Sequence, residues 1–438
     1  MVGVTRWKTL PIKELYDGLY DGPHATPKPS DSGPVFLGIK NVTDDGCLDL
    51  TEIRHIAEED YASWTRRVEP RTNDLVFTYE ATLNRYAVIP PGFRGCLGRR
   101  MALIRTNPLK VDVRFLLYYF FTDEWRAVIR RNMLTGATVD RIPLTTFPDF
   151  PVRVPPLSIQ QRIAGILSAY DELIENSQRR IRILEAMARA LYREWFVHFR
   201  FPGHENHPRV ASPLGEIPQG WEVKRLDEVC RSIQDGDWIE TKDQGGEEYR
   251  LLQISNLGVG EFIETGNFRY VTQKTFDRLR CNEIVPGDLL VARMPTPIGR
   301  GWLVTKMPWR MITAVDVAII RAEPTVIHPL FLLQAWNEHS NLQRIAGQAS
   351  GTTRLRITRR ELAAMEFVIP PVPVQQRFAE IVQPQSATID ALRKQIENLR
   401  RTRDLLLPRL FSGQIGVEAI PDPDSLFANS ESGREVST

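Results

Sequence analysis

Four charged residues between positions 235 and 242 have the types that a metal-dependent nuclease needs. Asp235 and Asp237 are followed by Glu240 and, two residues later, by Lys242. Carboxylates can hold a divalent cation, which then activates water or polarises a phosphate. A Glu-x-Lys triplet also arises easily by chance, and a solvated loop is the simpler interpretation. A self-contained nuclease is therefore an alternative and not our first hypothesis.

Other signatures of catalysis or metal binding do not occur in the 438 residues. The chain has no GxxxxGK[ST] loop, no GxGxxG, no HExxH and no Asn-Pro-Pro-aromatic motif of the kind that adenine methyltransferases use. His204 and His207 are close in sequence, but they lie in a Pro/Gly-rich stretch without a third metal ligand nearby. We therefore expect a chain without a catalytic centre, metal or cofactor of its own.

Two loops at corresponding places have residue types suited to DNA. Residues 78–85 follow the strand-like DLVF, and residues 293–300 follow the strand-like DLLV. Their residue types differ while the frame persists, as expected if similar scaffolds read different bases. Divergent surface loops are the alternative. The candidate DNA-contacting residues in these loops are Thr78, Tyr79, Thr82, Asn84, Arg85, Arg293, Thr296 and Arg300.

Further candidates come from shorter loops. The Gly-x-Thr sequences at 136–138 and 351–353 combine small donors with following arginines, which suits phosphates. A plain turn into the next strand is the alternative. The loop at 22–28 and the matching segments FLGIKNV (36–42) and LLQISNL (251–257) are also included. These stretches add His24, Thr26, Lys28, Lys40, Asn41, Thr138, Arg141, Gln253, Asn256, Thr353, Arg354 and Arg356.

Composition places the chain in a broad class. Hydrophobic residues make up 42% and charged residues 25%, as in ordinary globular proteins. The net charge of +2 gives only weak support for a nucleic-acid partner. The apolar run FLLYYFF at 115–121 is too short to span a bilayer and no signal-peptide pattern is present, so we expect a cytoplasmic protein with reduced cysteines.

An internal duplication organises the whole sequence. PPLSIQQR at 155–162 recurs 215 residues later as PPVPVQQR at 370–377. The same spacing relates Gly136 to Gly351, and a spacing of 214 relates Trp7 to Trp221. One structural unit is therefore written twice.

Each repeat has two unlike parts. Short β-branched and aromatic runs broken by Gly, Pro, Asn and Asp predict a mixed α/β globule, and a long helix follows each globule. The predicted fold class is α/β (α+β), with two tandem mixed domains and two long helices packed as an antiparallel coiled coil with an approximate two-fold relation. The predicted segments are globules at 1–154 and 221–369, long helices at 155–200 and 370–415, a linker at 201–220 and a flexible tail at 416–438.

Both long helices carry an apolar seam. We predict that Ser158 and Gln161 cap the first helix as an S-x-x-Q box, and that Pro384 kinks or interrupts the second helix. In the second copy Pro373 replaces the capping serine. The predicted seam residues are Ile163, Ile166, Tyr170, Leu173, Leu184, Met187 and Leu191 in the first helix, and Phe378, Ile381, Ile389, Leu392, Ile396, Leu399, Leu406 and Leu410 in the second.

These features together resemble the specificity subunits of type I restriction-modification systems. The resemblance covers roughly residues 5–415 and rests on the duplication, on the PP-x-x-x-QQR phrase that opens a long helix twice, and on DGPHATPK at 21–28. It implies that each globule is a target-recognition domain for one half of a bipartite, asymmetric DNA site. The helices would set the spacing between the halves. The pair Tyr79-Glu80 departs from the Arg-Gly type of pair expected there.

The resemblance also implies partners. Such subunits bind double-stranded DNA and two methyltransferase subunits that use S-adenosylmethionine on adenine. Motor-nuclease subunits with ATP and Mg²⁺ then take part in cleavage, and a non-DNA coiled-coil adaptor is the remaining alternative. Candidate residues for the partner interface, with helix capping as their alternative role, are Gln160, Gln161, Arg162, Gln375, Gln376 and Arg377.

Overall fold

The protein consists of two compact units. The computed structural model describes residues 7–136, 139–351 and 354–417. The first unit comprises the residues up to Ser177 together with those from Lys394 onward, and the second runs from Gln178 to Arg393. Thr138, Thr353 and almost all of the predicted tail lie outside the described residues.

The first unit combines three small sheets with short helices. A four-stranded antiparallel sheet has the order β2-β8-β5-β6, a three-stranded sheet has the order β4-β3-β7, and β1 pairs with β9. The strands are β1 (Lys8–Pro11), β2 (Tyr16–Asp21), β3 (Ser30–Leu37), β4 (Arg54–His55), β5 (Leu75–Thr78), β6 (Tyr86–Val88), β7 (Gly95–Leu97), β8 (Met101–Thr106) and β9 (Pro151–Val154), and the helices are α1 (Tyr61–Trp64), α2 (Val113–Phe120) and α3 (Asp123–Asn132).

Strand β5 shows why this sequence forms a layered core. Leu75 and Phe77 face one apolar cluster, which includes α2 and α3, while Val76 faces a second cluster on the other side of the sheet. This alternation follows from the two-residue period of a strand. The buried Asp74 just before the strand is paired with Arg105 on β8, with 2.9 Å between Asp74 Oδ1 and Arg105 Nε.

The second unit repeats this plan. Its sheets have the orders β13-β19-β16-β17 and β15-β14-β18, and β12 pairs with β20. After the long helix α4 (Leu157–Tyr192), the strands are β10 (Arg209–Ser212), β11 (Gly215–Pro218), β12 (Glu222–Arg225), β13 (Cys230–Asp235), β14 (Tyr249–Leu252), β15 (Tyr270–Val271), β16 (Asp288–Ala292), β17 (Gly301–Leu303), β18 (Arg310–Thr313), β19 (Val317–Ala322) and β20 (Glu366–Ile369), and the helices are α5 (Leu226–Val229), α6 (Gln273–Leu279), α7 (Pro329–Asn337), α8 (His339–Gln348), α9 (Arg359–Ala363) and α10 (Val372–Ser412).

The two long helices are the predicted ones. Helix α4 ends in a π-helical turn over Arg193–Val197. Within each unit the two helical segments run antiparallel, because later residues of one contact earlier residues of the other. In the first unit Arg162 donates to the Val417 carbonyl just beyond α10 at 3.4 Å, and Asp171 pairs with Arg403 at 2.5 Å. In the second unit Glu185 pairs with Arg393 at 2.9 Å, and Tyr192 packs against Phe378 with ring centroids 6.2 Å apart. No described helix combines the length and the apolar character that crossing a membrane requires. The fold class predicted from the sequence is confirmed.

The C-terminal end of one long helix closes the core of each globule. In the first unit Phe411 of α10 packs against Trp7 and Phe115, with ring centroids 6.1 and 5.1 Å away. In the second unit Phe196, which follows α4, packs against Trp221 and Phe331 at 5.9 and 4.8 Å. These are equivalent triads of the two repeats. Large aromatic rings bury much apolar area, so each globule depends on its helix end for stability.

The exact seam of the helices differs from the prediction. Ile174 and Ala188 are 7% and 4% exposed, whereas the predicted seam residues Leu173 and Met187 are 49% and 51% exposed. Ile381 in the second helix is likewise 43% exposed. A shift of one residue turns a helical side chain by about 100°, which moves it from the seam to the surface. Ser177 is also buried.

Two other local predictions, an interruption of α10 at Pro384 and capping of α4 by Ser158, were wrong. Pro384 does not interrupt α10, which is continuous over Val372–Ser412. Pro384 and Glu380, whose carbonyl loses its helical donor, lie on the exposed side of the helix, where water can replace the missing bond. Helix α4 begins at Leu157, so the exposed Ser158 lies inside the first turn and is not the cap.

The predicted linker at 201–220 has regular structure. Strands β10 and β11 form an antiparallel hairpin in which Ser212 is opposite Gly215. Gly215 has a φ of +100°, a conformation that glycine adopts without strain. Pro and Gly therefore mark the turn and ends of a short hairpin here, not an irregular connection.

A buried glutamine ties each long helix to its globule. Gln160 is 1% exposed; its amide donates to the carbonyl oxygens of Pro155 and Lys110 at 2.9 and 3.3 Å, and its Oε1 accepts from the Asp112 amide at 3.0 Å. Asp112 caps α2, since its carboxylate accepts from the Phe115 amide. One side chain thus joins the last strand, a globule helix and the long helix.

The second unit contains the same arrangement. Gln375 is 0% exposed; it donates to the carbonyl oxygens of Pro370 and Val326 at 2.8 and 3.0 Å and accepts from the His328 amide at 2.8 Å. His328 caps α7. The burial of Gln160 and Gln375 argues against their predicted place in a partner interface.

We expect Gln375→Ala to destabilise the protein. Removing the amide leaves two buried carbonyls and one N–H unpaired, which lowers the free energy of unfolding by about 2 kcal/mol or more. The neighbouring Gln376 is exposed, so Gln376→Ala is the matched control and changes it by less than about 0.5 kcal/mol. Urea titrations followed by circular dichroism compare the two. Equal effects of both variants would contradict the structural role of Gln375.

Candidate nucleic-acid interface

An edge strand of each four-stranded sheet leads into an exposed loop. Strand β2 ends at Asp21, and His24, Thr26 and Lys28 in the loop that follows are all exposed. Strand β13 ends at Asp235 and leads into the equivalent loop of the second unit. Both loops leave the edge of a sheet and carry exposed side chains, such as His24 in the first and Trp238 in the second.

Glycine at the start of each loop is required by close packing. A Cβ on Gly22 would lie 2.2 Å from the carbonyl oxygen of Gly98, and one on Gly236 would lie 2.2 Å from that of Ala314. Both distances are shorter than any van der Waals contact. The two loops therefore leave their sheets in the same way, whatever side chains follow.

Trp238 is a residue that the sequence interpretation missed. Its side chain is 71% exposed, and a single large aromatic group so exposed is uncommon on a globular surface. The spacing of 214 that matches Gly22 with Gly236 also matches His24 with Trp238 and Lys28 with Lys242. Extending the alignment by two residues would have identified it, but the acidic residues around it had suggested a nuclease.

Those acidic residues have structural partners. Asp235 pairs with Arg293 at 2.5 Å. The Asp237 carboxylate accepts from the backbone amide and the side chain of Asn282 at 3.1 and 3.2 Å. Glu240 pairs with Lys242 at 2.7 Å. Within the described ranges, no group of three or more His, Cys, Asp or Glu side chains could hold a metal ion.

The two linker histidines are also engaged. His204 Nδ1 lies 2.9 Å from the carbonyl oxygen of Phe201, and His207 Nε2 lies 2.8 Å from that of Gln219. These contacts fix the short segment before the β10–β11 hairpin. They do not bring the two imidazoles to a common ligand.

Main-chain bonds place the residues that follow the two Gly-x-Thr sequences beside the ends of the central strands. The Ile142 amide donates to the Tyr79 carbonyl at 2.7 Å, and the equivalent Ile357 amide donates to the Arg293 carbonyl at 3.0 Å. Arg141 and Arg354 are exposed. Arg356 is half-buried and pairs with Asp316 at 3.2 Å. The structure therefore brings together two groups of candidates that are about 60 residues apart in sequence.

Several predicted contact residues point into the protein. Asn41 and Asn256 are 7% and 2% exposed, and each accepts the backbone amide that opens its turn, from Gly38 at 3.0 Å and from Gln253 at 2.8 Å. Their amide groups also bind backbone carbonyls across the turn. Both asparagines organise the backbone, as buried side-chain amides commonly do.

Arg85 and Arg300 hold the same turns from the other side. Arg300 is 7% exposed and donates to the carbonyl oxygens of Ile254 and Leu257 at 2.8 and 2.5 Å. Arg85 donates to the carbonyl oxygen of Val42 at 3.4 Å and pairs with Asp44 at 2.7 Å. Burial lowers the pKa of the Arg300 guanidinium. Arg300 thus has a structural role, because its guanidinium provides the backbone carbonyl oxygens of the turn with the hydrogen bonds that water would otherwise provide.

The remaining predicted residues divide by exposure. Thr78 and Tyr79 are buried, and burial raises the pKa of Tyr79. Arg293 occupies the position of Tyr79 in the second unit and is 5% exposed. The residues with side chains still accessible to a ligand are Lys40 and Thr296, which are exposed, and Thr82, Asn84 and Gln253, which are half-buried.

In the predicted partner interface, Gln161, Gln376 and Arg377 are exposed, while Arg162 donates to the Val417 carbonyl at 3.4 Å.

Comparison with known proteins shows the family of the chain. The family model described as type I restriction modification DNA specificity domain matches residues 65–186 and 218–401, which is one segment in each repeat and more than half of the chain. The chain belongs to this family. The resemblance inferred from the sequence is thereby confirmed.

Relatives match over most of their length. The type I restriction enzyme MjaIX specificity subunit of Methanocaldococcus jannaschii is 26% identical over 375 residues, which is 84% of this chain and 83% of that protein. The putative MjaX specificity subunit of the same organism is 22% identical over 422 residues, or 94% of each chain. The solved S subunit of a type I system from M. genitalium has a TM-score of 0.55 at 14% identity, covering 94% of this chain and 97% of that chain, and shows the shared fold.

A type I specificity subunit recognises a DNA sequence and leaves catalysis to other subunits. The exposed candidate side chains of this chain include those that follow β2 and β13 and the arginines Arg141 and Arg354. The buried asparagines and arginines behind them keep the loop backbones in place. A recognition surface needs both exposed side chains that can contact a ligand and buried side chains that hold the loop backbone in a fixed position.

We expect Asp237→Asn to change the pH dependence of stability. Burial raises the pKa of Asp237 from 3.8 to about 6, and the bonds from Asn282 offset this only in part. The folded state then binds more protons than the unfolded state between about pH 4 and pH 6, so this group lowers stability as the pH rises through that window.

The asparagine variant lacks this titration. Relative to the unchanged protein, its free energy of unfolding should therefore increase from pH 4 to pH 7, as measured by urea titrations at several pH values. Asp45→Asn, which alters an exposed carboxylate, controls for the loss of one charge. Parallel pH curves for Asp237→Asn and the unchanged protein would contradict the expectation.

Proposed function

We propose that this subunit reads a bipartite, asymmetric DNA site, with one half read by each unit. The observation that carries the proposal is the pair of equivalent loops with unlike side chains. His24 in the first unit and Trp238 in the second follow the same glycine turn at the same sheet edge. Identical scaffolds with different exposed groups are what two independent readers of two different sequences require.

The two side chains have different chemistry toward bases. Histidine can exchange hydrogen bonds with base edges, whereas tryptophan offers an apolar face and one N–H donor. Asp21 lies beside His24, with 3.0 Å between Asp21 Oδ2 and His24 Nε2, and can orient the imidazole. Each unit would therefore prefer a different set of base pairs. An asymmetric target follows directly.

Loop exchange tests the independence of the two readers. We expect that replacing residues 23–28 by the sequence of residues 237–242 changes one half of the methylated motif and leaves the other half intact. Methylome sequencing of the host with the unchanged gene, without the gene and with the variant gene shows the motif. The substitution Leu109→Ser, in an exposed turn, is a control that leaves the motif unchanged. A change in both halves would contradict independent reading, and an unchanged methylome without the gene would contradict the proposed function.

The long helices supply surfaces for partner subunits. Ile183 and Met187 are 50% and 51% exposed and lie four residues apart, so they share one face of α4. Leu405 on α10 is 54% exposed. Apolar side chains in excess of those that pack the helices together favour a protein partner. We assign these faces to two methyltransferase subunits, through which motor-nuclease subunits join the complex.

The cofactors belong to those partners in this proposal. S-adenosylmethionine would bind to the methyltransferase subunits, and ATP with Mg²⁺ would act in the motor-nuclease subunits. The contribution of this chain is the placement of DNA and partners. The exposed residues Gln376 and Arg377 at the start of α10 remain part of the proposed partner interface.

Negative charge on the exposed apolar face of α4 should prevent binding of the methyltransferase subunit. We expect Ile183→Asp with Met187→Asp to abolish co-purification of the methyltransferase subunit, because a desolvated carboxylate opposes binding. Leu109→Asp is the matched control, since Leu109 is 84% exposed on a turn of the globule, and it should leave co-purification intact. Size-exclusion chromatography of co-expressed subunits measures the outcome. Normal assembly of the double variant would assign the contact to another surface.

The alternatives lack comparable support. A self-contained nuclease would need Asp235 and Asp237 free for a metal, and both are engaged by Arg293 and Asn282. A non-DNA adaptor would have no use for two loop sets that differ in residue type on one scaffold. Incubation of the purified chain with Mg²⁺ and plasmid distinguishes the nuclease alternative, since cutting without partners would favour it.

A further inference from the structure

The second unit contains a cleft rich in arginine that the sequence interpretation did not single out. The cleft has a volume of about 740 Å³ and lies between the edge strand β13 and the short helix α9. The charged residues in its wall are Arg231 and Asp235 of β13, Arg293 just after β16, Arg359 and Arg360 of α9, and Asp227 of α5, which pairs with Arg225 at 2.6 Å. We call it the arginine cleft.

Two of its arginines have no counter-charge. Arg231 pairs with Glu323 at 2.8 Å, and Arg293 pairs with Asp235 at 2.5 Å. Arg359 and Arg360 are exposed, and neither has an ion-pair partner among the residues that the structure describes. The cleft therefore has positive charge that these ion pairs do not neutralise.

The cations lie close enough to affect one another. Burial lowers the pKa of Arg293; Asp235 acts in the opposite direction, and the neighbouring Arg356 and Arg359 lower it further. Like charges gathered in a partly enclosed space are unfavourable until an anion enters. Guanidinium groups match phosphate in shape and can bind it through two parallel hydrogen bonds.

The cleft borders the loops assigned to DNA. Asp235 in its wall is the last residue before the loop that holds Trp238. The loop that precedes α9 is bonded to the Arg293 carbonyl through the Ile357 amide at 3.0 Å. An anion in the cleft would therefore lie beside the proposed base-reading side chains. Phosphate contacts of this kind set the position of a duplex relative to the protein.

The first repeat has no arginine at the four equivalent positions of its sequence. Asp17 stands at the position of Arg231, in the same bulge of the edge strand, and Tyr79 stands at the position of Arg293. Leu144 and Thr145 replace Arg359 and Arg360 at the 215-residue spacing. All four arginines are absent from the equivalent place, and one is replaced by a carboxylate.

We propose that the arginine cleft binds the phosphodiester backbone of duplex DNA through Arg359 and Arg360, so that the second unit has a phosphate contact that the equivalent place in the first unit lacks. The inference rests on the proposed function. It adds a phosphate site in one unit and an inequality between the two units. Arg359 and Arg360 position the duplex and do not read its sequence.

Salt dependence of DNA binding tests the proposal. In the complex assembled with methyltransferase subunits, the affinity for a duplex with the methylated motif is measured over a range of salt concentrations. Each phosphate contact adds about 0.9 to the slope of log K against log salt concentration. We expect Arg359→Ala with Arg360→Ala to make the slope less negative by about 1 to 2, while the methylated motif stays the same. Arg359→Lys with Arg360→Lys should retain most of the slope.

Two comparisons separate the cleft from net charge. Arg126→Ala with Arg130→Ala removes the same charge from exposed positions on α3 and should change the slope much less. Leu144→Arg with Thr145→Arg places arginines at the equivalent site of the first unit and should make the slope more negative. Thermal unfolding verifies that every variant is folded.

Three results would overturn the proposal. They are an unchanged slope for the alanine variant, a slope change no larger than that of the α3 control, and a changed methylated motif, which would make the arginines base readers. Failure of the proposed function looks different, because the unchanged complex would then show no preference for any DNA sequence. A sequence-specific unchanged complex with an unaffected alanine variant refutes the cleft alone.

Discussion

A buried side-chain amide at the start of each long helix is the constraint on which the rest of each unit depends. Gln160 and Gln375 satisfy two carbonyls and one N–H inside the protein. Leaving these groups unpaired would be costly. The bonds join the last strand, a globule helix and the long helix into one body, and the loops on the sheet thereby acquire a fixed place relative to that helix. The proposed reading of a bipartite site would depend on such rigidity.

Inside each unit, the frame and the variable surface are separate. The frame consists of main-chain bonds, the glycine turns and buried polar side chains such as Asn256 and Arg300. The surface consists of exposed groups, and Trp238 replaces His24 there without any change to the frame. Charge also differs between the two units on this shared frame. Four arginines line the cleft of the second unit, and none of the equivalent positions in the first repeat holds an arginine. Different affinities can thus arise on one scaffold.

The duplication made most of the architecture predictable from the sequence, while its local details were not. Repeated spacing located both globules and both long helices because it does not depend on propensity. The seam was misplaced at Leu173 and Met187, since apolar residues on both faces of α4 satisfy a three-four pattern and only packing selects one. The sequence predicted an interruption of the helix at Pro384 because the exposure of this residue cannot be seen in the sequence. On the exposed side of α10, water can replace the backbone hydrogen bond that proline cannot donate. Asn41 and Arg300 have residue types suited to DNA, yet burial makes them supports.

The position of Phe411 has a consequence for how the chain is made. This ring completes the aromatic core of the first unit together with Trp7 and Phe115, although it lies 404 residues after Trp7 in the sequence. The second unit is continuous from Gln178 to Arg393. On the ribosome, where domains generally fold in order of synthesis, the first globule must wait with an open core until the end of α10 emerges. The second globule, made later, is the first that can finish folding.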